Sequence, residues 1–571
     1  MRFASSCVTL ALGFISTFSW AQNCPLLGPA YLAATDVASP AFIAAKAKFD
    51  DAVASSTQIN KEKVFFAVEI YSSGSKDAGS IHRYYNTPPA QNGAVNVGPD
   101  TLFRINSISK VVTVYTMLSK LSYKYWHEPV TKYIPELANA QPQDVSDVDW
   151  SEVTLGSLAS QISGISRDYA LRDASSVLPA VPGLRTLKDS EVVRCGSGLL
   201  KPGPCSRAES MRYVLQTWPL ASSYRTPNYS NMAFQLLAYA VESITGTPFQ
   251  DLVTEQILNP LNLTRTFVTH PGNDSNAVVV DGWDIDFGDL DPGAGYYSTL
   301  TDLTTLGRSI LNSTLLPALT THKWLKPITH TSSLRFSLGS PWEILRESVP
   351  VTTTQTQTTE TRRVVDFYTK QGGGGDSYTS LLGLSPDHDL GISILTAGKG
   401  SETTMLALRQ LFVDVWLAAA EQAGRDQAGV NFAGNYTLGD GDNNSSLVVL
   451  SLQPDEPALM LSAMVSNGTD VLELLRGTTG LGGEPGEARL WFYPMGLVAG
   501  GDCRKRIAFR AAAGLAGRSA DENCASWATG DRLRWGNYPA DELVFETGPD
   551  GKARAVEVPV LGATLKRVGP V

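Results

Sequence analysis

The hydrophobic pattern of this chain changes around residues 421–429, and the change limits what each part can fold into. After it, short alternating apolar runs recur with turn residues between them, at 447–450, 458–461, 489–492 and 542–545. Runs of this kind are typical of a β-barrel or β-sandwich. We therefore predict a domain boundary near residue 425 and an all-β domain over residues 430–571.

The preceding segment, residues 61–425, mixes strands with helices. Residues 22–60 are predicted to form an N-terminal arm with a short amphipathic stretch at 40–53. β-Branched and aromatic residues at 64–71 predict a strand. The Thr- and Gln-rich residues 352–361 are predicted either to tip a β-hairpin or to form a disordered loop. The remaining predictions are helices at 107–121, 300–311 and 403–420 and strands at 364–369 and 390–396.

Charge and composition exclude several classes of protein. The chain has 571 residues, of which 43% are hydrophobic and 18% charged, so it is an ordinary globular sequence. Lys and Arg number 46 against 56 Asp and Glu, which gives a net charge of −10, and there is no basic run. We therefore expect no nucleic-acid partner. The histidines show no metal-ligand spacing and there is no Cys-x-x-Cys, so we expect no metal site and no cofactor.

The first 21 residues have the features of a secretory signal peptide. Arg2 provides a positive charge, residues 7–20 form an apolar stretch, and Ser19 and Ala21 are the small residues of a cleavage site. The alternative is a membrane anchor, but the stretch is short for a spanning helix. We expect a secreted, extracellular protein that begins at Gln22. No membrane association is expected after cleavage, because no later segment reaches about 18 uninterrupted apolar residues.

Cysteine spacing fits the oxidising secretory route. We predict the disulfides Cys195–Cys205 and Cys503–Cys524, each of which closes a short loop. Cys24 is then left free or paired differently. The alternative is a set of buried, unpaired thiols.

Asn-x-Ser/Thr sequons are frequent and predict glycosylation. The predicted sites are Asn262, Asn273, Asn312, Asn435, Asn443, Asn444 and Asn467. Asn228 also begins a sequon, but it adjoins a motif described below and is not expected to carry a glycan.

The strongest chemical signal is the stretch Ser107-Ile108-Ser109-Lys110. A serine hydroxyl is a weak nucleophile until a base removes its proton. At a helix start, residues three apart share a face, so the amine of Lys110 would point at the hydroxyl of Ser107. The helix N-terminus adds free N–H groups and positive potential, and burial would lower the lysine pKa. The motif alone is weak, because a second Ser-x-x-Lys copy begins at Ser73 in a predicted turn, and Ser107 alone would read as a helix N-cap.

Two downstream elements carry complementary groups. Tyr229 and Asn231 lie just before a predicted helix, where a phenol would shuttle protons and an amide would hold Lys110 and the substrate carbonyl. Lys370 and the glycines after it follow a predicted strand. Glycines at a strand edge let a substrate backbone approach, and one of their N–H groups would complete an oxyanion hole with the Ser107 N–H. The alternative for a lysine beside glycines is a flexible loop.

Taken together, these elements resemble the serine β-lactamase and penicillin-binding protein-like superfamily. Its three motifs, Ser-x-x-Lys, Tyr-x-Asn and Lys-Thr-Gly or His-x-Gly, occur here in the same order. The surrounding sequence is similar to that of the family at 101–110, 160–165, 229–261 and 294–303. The resemblance covers about residues 60–420. It is closest to the class C-like branch, which includes esterases, transesterases, D-amino-acid peptidases and secreted fungal β-lactamase-like proteins.

The resemblance implies an α/β (α+β) serine β-lactamase/transpeptidase-like fold, with an antiparallel sheet flanked by helices and a helical subdomain. The C-terminal all-β domain would follow it. By the same resemblance, Ser107 is the acyl-accepting nucleophile, Lys110 is its base and Tyr229 is the proton shuttle. Asn231 is then the residue that positions Lys110 and the acyl chain.

The third motif departs from the family pattern. The resemblance makes Lys370 its cation and Gly373 the strand residue whose N–H meets the oxyanion. Gln371 stands where threonine is usual, and the glycine run is about one residue longer, so Gly372 and Gly374 are alternatives for the oxyanion contact. The missing threonine argues against β-lactam turnover, because binding of the β-lactam carboxylate often uses it.

The expected function is that of a secreted serine hydrolase, acting through a Ser107 acyl-enzyme on an ester, lactone or amide, with esterase or transesterase activity favoured. The alternative within the same chemistry is a β-lactamase or D-amino-acid peptidase. An alternative of another class is a catalytically inactive binding scaffold. The expected partner is a small-molecule or peptide-like acyl substrate.

Overall fold

The computed structural model describes residues 28–74, 80–89, 96–169, 175, 182–196, 203–351, 362–373, 376–438, 446–453, 456–478, 488–501, 503–515, 525–528, 530–532 and 534–569. The chain forms two compact units. The larger unit comprises Leu32–Val349 and Val364–Gly424, and the C-terminal unit is built mainly from Arg425–Val571.

Helices surround the sheet of the larger unit, and the last of them runs on past Gly424. They are α1 (Pro40–Ser55), α2 (Ser109–Leu121), α3 (Pro135–Ala138), α4 (Leu155–Ala159), α5 (Arg207–Val214), α6 (Met232–Thr245), α7 (Phe249–Val253), α8 (Asp291–Ala294), α9 (Leu300–Leu311), α10 (Ala318–Trp324), α11 (Ser401–Leu411) and α12 (Ala418–Phe432).

The strands of the larger unit are β1 (Phe65–Ser72), β2 (Ser80–Asn86), β3 (Phe103–Arg104), β4 (Tyr297–Ser298), β5 (Thr329–His330), β6 (Phe336–Leu338), β7 (Glu343–Pro350), β8 (Arg362–Gly373), β9 (Tyr378–Ser385) and β10 (Leu390–Ala397). An antiparallel sheet has the order β2-β1-β10-β9-β8-β7-β6-β5, and β3 pairs separately with β4.

Both faces of the central strands are covered, which explains their continuous apolar sequence. In β1, Ala67 and Tyr71 belong to a buried cluster that includes residues of α2, α6 and α9. Phe66, Val68 and Ile70 belong to a second cluster that includes residues of α1 and α11. The alternation of the strand therefore joins two hydrophobic layers, one on each face of the sheet.

Most predicted elements are present, with different boundaries at two helices. The helix predicted from residue 107 begins with a 3₁₀ turn, Asn106–Ile108, before α2. The closing helix continues well beyond residue 420, through a π-helical turn at Phe412–Leu417 into α12. Its sequence becomes polar after residue 420, so the apolar pattern ended before the helix did. The combined helix Ser401–Phe432 is long and apolar enough to span a membrane, but 61% of its most apolar window is buried, as in a core helix.

The C-terminal unit is a closed β-barrel accompanied by the short helix α13 (Val471–Thr478). Its strands are β11 (Gly434–Thr437), β12 (Leu447–Ser451), β13 (Leu459–Ser466), β14 (Thr469–Asp470), β15 (Ala488–Gly501), β16 (Arg504–Leu515), β17 (Arg534–Trp535), β18 (Tyr538–Pro539), β19 (Glu542–Thr547), β20 (Ala553–Val558) and β21 (Ala563–Gly569). The order β12-β11-β21-β20-β19-β16-β15-β13-β14 closes because β12 also pairs with β13. Of the two predicted all-β architectures, the structure has the barrel. Phe432, Phe509 and Phe545 form its aromatic centre, with ring centroids 4.9–5.1 Å apart.

The cysteines follow one prediction and contradict the other. Cys195 and Cys205 form a disulfide with their Cα atoms 5.0 Å apart. The predicted Cys503–Cys524 disulfide is wrong, because Cys503 is an exposed free thiol in the turn between β15 and β16. Cys503 is exposed because it lies in a hairpin turn. The spacing between two cysteines in the sequence does not show that one of them lies in such a turn. Cys524 and Cys24 lie outside the described residues.

The predicted glycosylation sites differ in exposure. Asn262, Asn273, Asn312 and Asn467 are exposed, whereas Asn435 is half-buried in β11. Asn443 and Asn444 lie outside the described residues, as do the predicted signal peptide and residues 352–361. Glycosylation stays a prediction.

Candidate active site

The segment before Ser107 is fixed by backbone pairing. β3 pairs with β4, and the Ile105 N–H donates to the carbonyl of Tyr296 over 3.0 Å. The buried Arg104 guanidinium donates to the Tyr297 hydroxyl over 2.8 Å and to three backbone carbonyls over 2.7–3.0 Å. The stretches around 101–110 and 294–303, both singled out in the sequence, are therefore neighbours.

Asn106, which precedes Ser107, has an unusual backbone conformation. Its φ is +46°, in the left-handed region that asparagine tolerates better than most residues. Its side-chain amide donates to the carbonyl of Tyr378 in β9 over 3.1 Å. The next residue, Ser107, lies in the 3₁₀ turn and is half-buried.

Lys110 is the most enclosed charged group of the site. It is fully buried in the first turn of α2. Its Nζ lies 3.1 Å from Ser107 Oγ, 2.7 Å from Asn231 Oδ1 and 2.5 Å from the carbonyl oxygen of Gly293. The amine therefore joins α2 to the start of α6 and to α8.

Tyr229 and Asn231 stand where the sequence predicts, immediately before α6. The Tyr229 hydroxyl donates to Ser107 Oγ over 2.6 Å. Asn231 accepts from Lys110 through Oδ1, and its Nδ2 donates to Asp168 Oδ1 over 2.8 Å. The Asp168 bond fixes which end of the amide faces Lys110.

Burial and neighbouring charges change the proton affinities of these groups. Burial lowers the pKa of Lys110, and the positive charge of Lys370 lowers it further against the opposing effect of Tyr229. Burial alone would raise the pKa of Tyr229, but the ammonium groups of Lys110 and Lys370 outweigh burial and hold that pKa below its ordinary value. Burial therefore favours the uncharged amine of Lys110, next to a Tyr229 hydroxyl that donates its proton to Ser107 Oγ.

Lys370 is held by a carboxylate that the sequence did not single out. Its Nζ lies 2.5 Å from Glu343 Oε1 and donates to the carbonyl of Gln371 over 2.7 Å. Burial would lower the pKa of Lys370, but Glu343 and Tyr229 together outweigh burial and raise it. The ammonium also lies 5.3 Å from the ring centroid of Tyr229, which explains its effect on that phenol.

The glycines of β8 lie against the nucleophile segment. A Cβ added to Gly372 would be 2.1 Å from the Ile105 carbonyl oxygen, so no side chain fits there. Gly373 has φ +82°, and a Cβ added to it would be 2.7 Å from Asn106 Nδ2. Gly372 and Gly373 thus both approach the residues that precede Ser107, while Gly374 lies outside the described residues.

A cavity of about 480 Å³ opens beside Tyr229. Its walls include Gln161, Glu343, Arg225 and His330. Gln161 has φ +60° and accepts from the Ser230 N–H over 2.7 Å, but its buried Nε2 has no hydrogen-bond partner. The cavity is large enough for a small acyl group. Among the described residues, no group of three or more His, Cys, Asp or Glu side chains is placed to bind a metal ion.

Comparison with known proteins gives the family. Residues 77–413 match the family described as Beta-lactamase, and residues 424–569 match a domain described as Beta-lactamase-like-like, C-terminal domain. A Beta-lactamase-like protein of Arthroderma benhamiae is 30% identical over 537 residues, covering 87% of this chain and 86% of that relative. The chain belongs to the beta-lactamase family.

Other relatives are named as hydrolases. Probable hydrolase M10 of a Phoma species is 28% identical over 424 residues, covering 72% of this chain and 67% of that relative. D-alanyl-D-alanine-carboxypeptidase/endopeptidase AmpH of Escherichia coli is 27% identical over 189 residues, covering 33% of this chain and 41% of that relative. Family membership accounts for the β-lactamase/transpeptidase-like fold of the larger unit and places the chain among beta-lactamase-like hydrolases.

Sequence reasoning missed three contributors to the beta-lactamase-like site. Asp168 follows closely on the family-like stretch at 160–165, so its position was a usable signal. The Gly293 carbonyl lies directly before the family-like stretch at 294–303, and no sequence motif includes it. Glu343 stands in no motif, and only the pairing of β7 with β8 brings it to Lys370.

Replacing Gly372 with alanine tests the close packing of β8 on the nucleophile segment. Because the new methyl group would meet a backbone oxygen, Gly372→Ala should lower stability by about 1–3 kcal/mol in urea unfolding. Gly98→Ala is the matched control, since a Cβ there has open space around it, and should change stability by less than about 0.5 kcal/mol. Equal stability of the two variants would contradict the packing.

Proposed function

We propose that this protein is a secreted serine hydrolase that acylates Ser107 and acts on esters, lactones or amides. The observation that supports this most directly is the position of Ser107 Oγ, 3.1 Å from Lys110 Nζ and 2.6 Å from Tyr229 Oη. A serine hydroxyl becomes a nucleophile only when a base takes its proton, and two candidates with lowered pKa values adjoin it.

Lys110 is proposed to act as the neutral base. A neutral amine has two N–H groups, which suit the two carbonyl acceptors Asn231 Oδ1 and Gly293 O. Its lone pair is then left for the Ser107 hydroxyl proton. Burial of the amine favours this form, because the charged form is poorly solvated there.

Acylation follows from this arrangement. Ser107 Oγ attacks the substrate carbonyl carbon while its proton moves to Lys110. The oxyanion that forms accepts hydrogen bonds from the Ser107 N–H and, in our proposal, from the Gly373 N–H. The bond to the leaving oxygen or nitrogen then breaks, and Tyr229 supplies the proton that the leaving group takes.

Deacylation uses the same groups in reverse order. Water attacks the acyl carbon and gives one proton to the Tyr229 phenolate left by acylation, and the bond to Ser107 Oγ breaks as Oγ takes back its proton from the Lys110 ammonium. The product is a carboxylic acid, which ionises. An alcohol or amine in place of water would complete a transesterase or transacylase reaction by the same path.

Secretion and glycosylation are part of the proposal. The charged and apolar start of the sequence supports a signal peptide. The Cys195–Cys205 disulfide supports an oxidising compartment, because such bonds are rare in reducing ones. Exposure of Asn262, Asn273 and Asn312 is compatible with glycans there.

A β-lactamase or D-amino-acid peptidase is the second candidate. Similarity to the Escherichia coli carboxypeptidase/endopeptidase over 189 residues favours it. Turnover of nitrocefin or of D-alanyl amides, measured beside ester turnover, separates the two candidates.

Replacing Ser107 tests the nucleophile. Ser107→Ala removes the acyl-accepting oxygen, so hydrolysis of short-chain p-nitrophenyl esters should fall by about 10³-fold or more. Ser73→Ala is the matched control because it alters the other Ser-x-x-Lys copy, and it should retain the wild-type rate. Equal rates in wild type and Ser107→Ala would contradict the proposal and favour a binding scaffold.

The charge of Lys370 should be visible in the pH profile. Lys370→Met removes a cation that lowers the pKa values of Lys110 and Tyr229, so both values should rise. Because the base acts unprotonated, kcat/KM increases as pH rises through its pKa, and this rising limb should move to higher pH. The limb is measured with a p-nitrophenyl ester, with the exposed Lys323→Met as control. An unmoved limb in a folded Lys370→Met protein would contradict the assignment.

A further inference from the structure

The charges around the reactive centre occur as compensated pairs. Glu343 lines the cavity beside Tyr229 and binds Lys370 through Oε1. Its second oxygen, Oε2, accepts from the Gln371 N–H over 2.9 Å. The carboxylate is therefore held by two donors of β8 and has a fixed position at the cavity wall.

Lys370 itself is covered. Its side chain is 2% exposed, against 19% for that of Glu343. A substrate in the cavity thus meets the carboxylate more readily than the ammonium. The side chain of Gln371 is directed to Glu402, with Nε2 3.5 Å from Oε1, so it adds no positive charge.

The second pair also adjoins Tyr229. Asp168 is 8% exposed and lies 3.2 Å from the Nε of Arg167, whose guanidinium carbon is 4.6 Å from the Tyr229 ring centroid. Asp168 also binds Asn231. With Lys110 acting as a neutral base, the two pairs sum to zero charge around Ser107.

Two further basic side chains line the cavity at its exposed parts. Arg225 and His330 are both open to solvent. Attraction from exposed charges is weakened by water and salt, so these groups cannot replace a buried cation next to the reacting carbonyl.

We propose that Glu343 makes this site selective for acyl donors that carry no carboxylate next to the scissile bond. The inference rests on the proposed serine hydrolase function and narrows its substrate class to uncharged esters, lactones or amides. A substrate carboxylate would lose its hydration without gaining a free cation, and it would face the carboxylate of Glu343. The acid produced by hydrolysis is itself an anion, so the same arrangement favours its release.

The test compares two acyl donors that differ in whether a carboxylate on the leaving group, close to the scissile ester, is charged or masked. They are 3-acetyloxybenzoate and its uncharged methyl ester, and the measurement is the ratio of their kcat/KM values. The wild-type protein should prefer the methyl ester. Glu343→Gln leaves Lys370 without its counter-charge, so the ratio should move towards the charged ester by about tenfold or more. Comparing ratios between variants removes the small difference in chemical reactivity of the two esters.

Glu347→Gln is the matched control. Glu347 is on the same strand and is paired with Arg335, and the buried part of Arg409 lies near both Glu347 and Glu343. The control therefore removes a carboxylate from the same electrostatic surroundings without freeing Lys370. It should leave the ratio within about twofold of wild type.

The outcomes separate the inference from the function on which it rests. No Ser107-dependent hydrolysis of either ester would contradict both. Hydrolysis of both esters with an unchanged ratio in folded Glu343→Gln would overturn the inference alone. If Glu343→Gln does not fold, wild-type inhibition decides: methyl 3-hydroxybenzoate should inhibit more strongly than 3-hydroxybenzoate, and the reverse order would overturn the inference.

Discussion

The site depends on the burial of one amine. Lys110 lies in the interior at the start of α2, and its Nζ contacts Ser107, Asn231 and the carbonyl of Gly293. These partners come from three separate parts of the chain, so one group both joins the elements and faces the nucleophile. Its desolvation is unfavourable for the charged form, and that cost lowers its pKa, which is why we propose Lys110 as the base.

The surrounding charges keep this arrangement stable. An isolated buried ion would be expensive, and here the buried Lys370 and Asp168 each have a partner of opposite charge within 3.2 Å. Lys370 is paired with Glu343, and Arg167 with Asp168. Lys370 still lies close enough to Tyr229 to lower the pKa of the phenol. Glu343 therefore weakens the electrostatic effect of Lys370 on Tyr229 without removing it.

Local sequence was informative where the chemistry is local. The spacing of Ser107 and Lys110 on one helical turn predicted their contact, and the family-like text predicted that Tyr229 would lie near them. The pairing of Lys370 with Glu343 was not predictable, because a carboxylate in β7 reaches the third motif only when the strands pair. The free Cys503 was missed for a related reason, since its hairpin turn is set by the barrel and not by cysteine spacing.

In the C-terminal unit, too, local elements could be predicted from the sequence but their long-range arrangement could not. The alternating runs after residue 425 predicted strands, but their closure into a barrel also depends on the pairing of β11 with β21, which lie at opposite ends of this part of the sequence. The continuation of the closing helix to Phe432 was hidden by its polar sequence.

The central claim is that Ser107 accepts an acyl group. The most direct measurement is mass spectrometry of peptides from protein quenched in acid during turnover of p-nitrophenyl trimethylacetate, a hindered ester that slows deacylation. One trimethylacetyl group on the peptide that contains Ser107 is the predicted result. The account would be contradicted if the ester is turned over and the trimethylacetyl group is found on another residue. It would also be contradicted if no acylated peptide is found after the initial burst of product is complete.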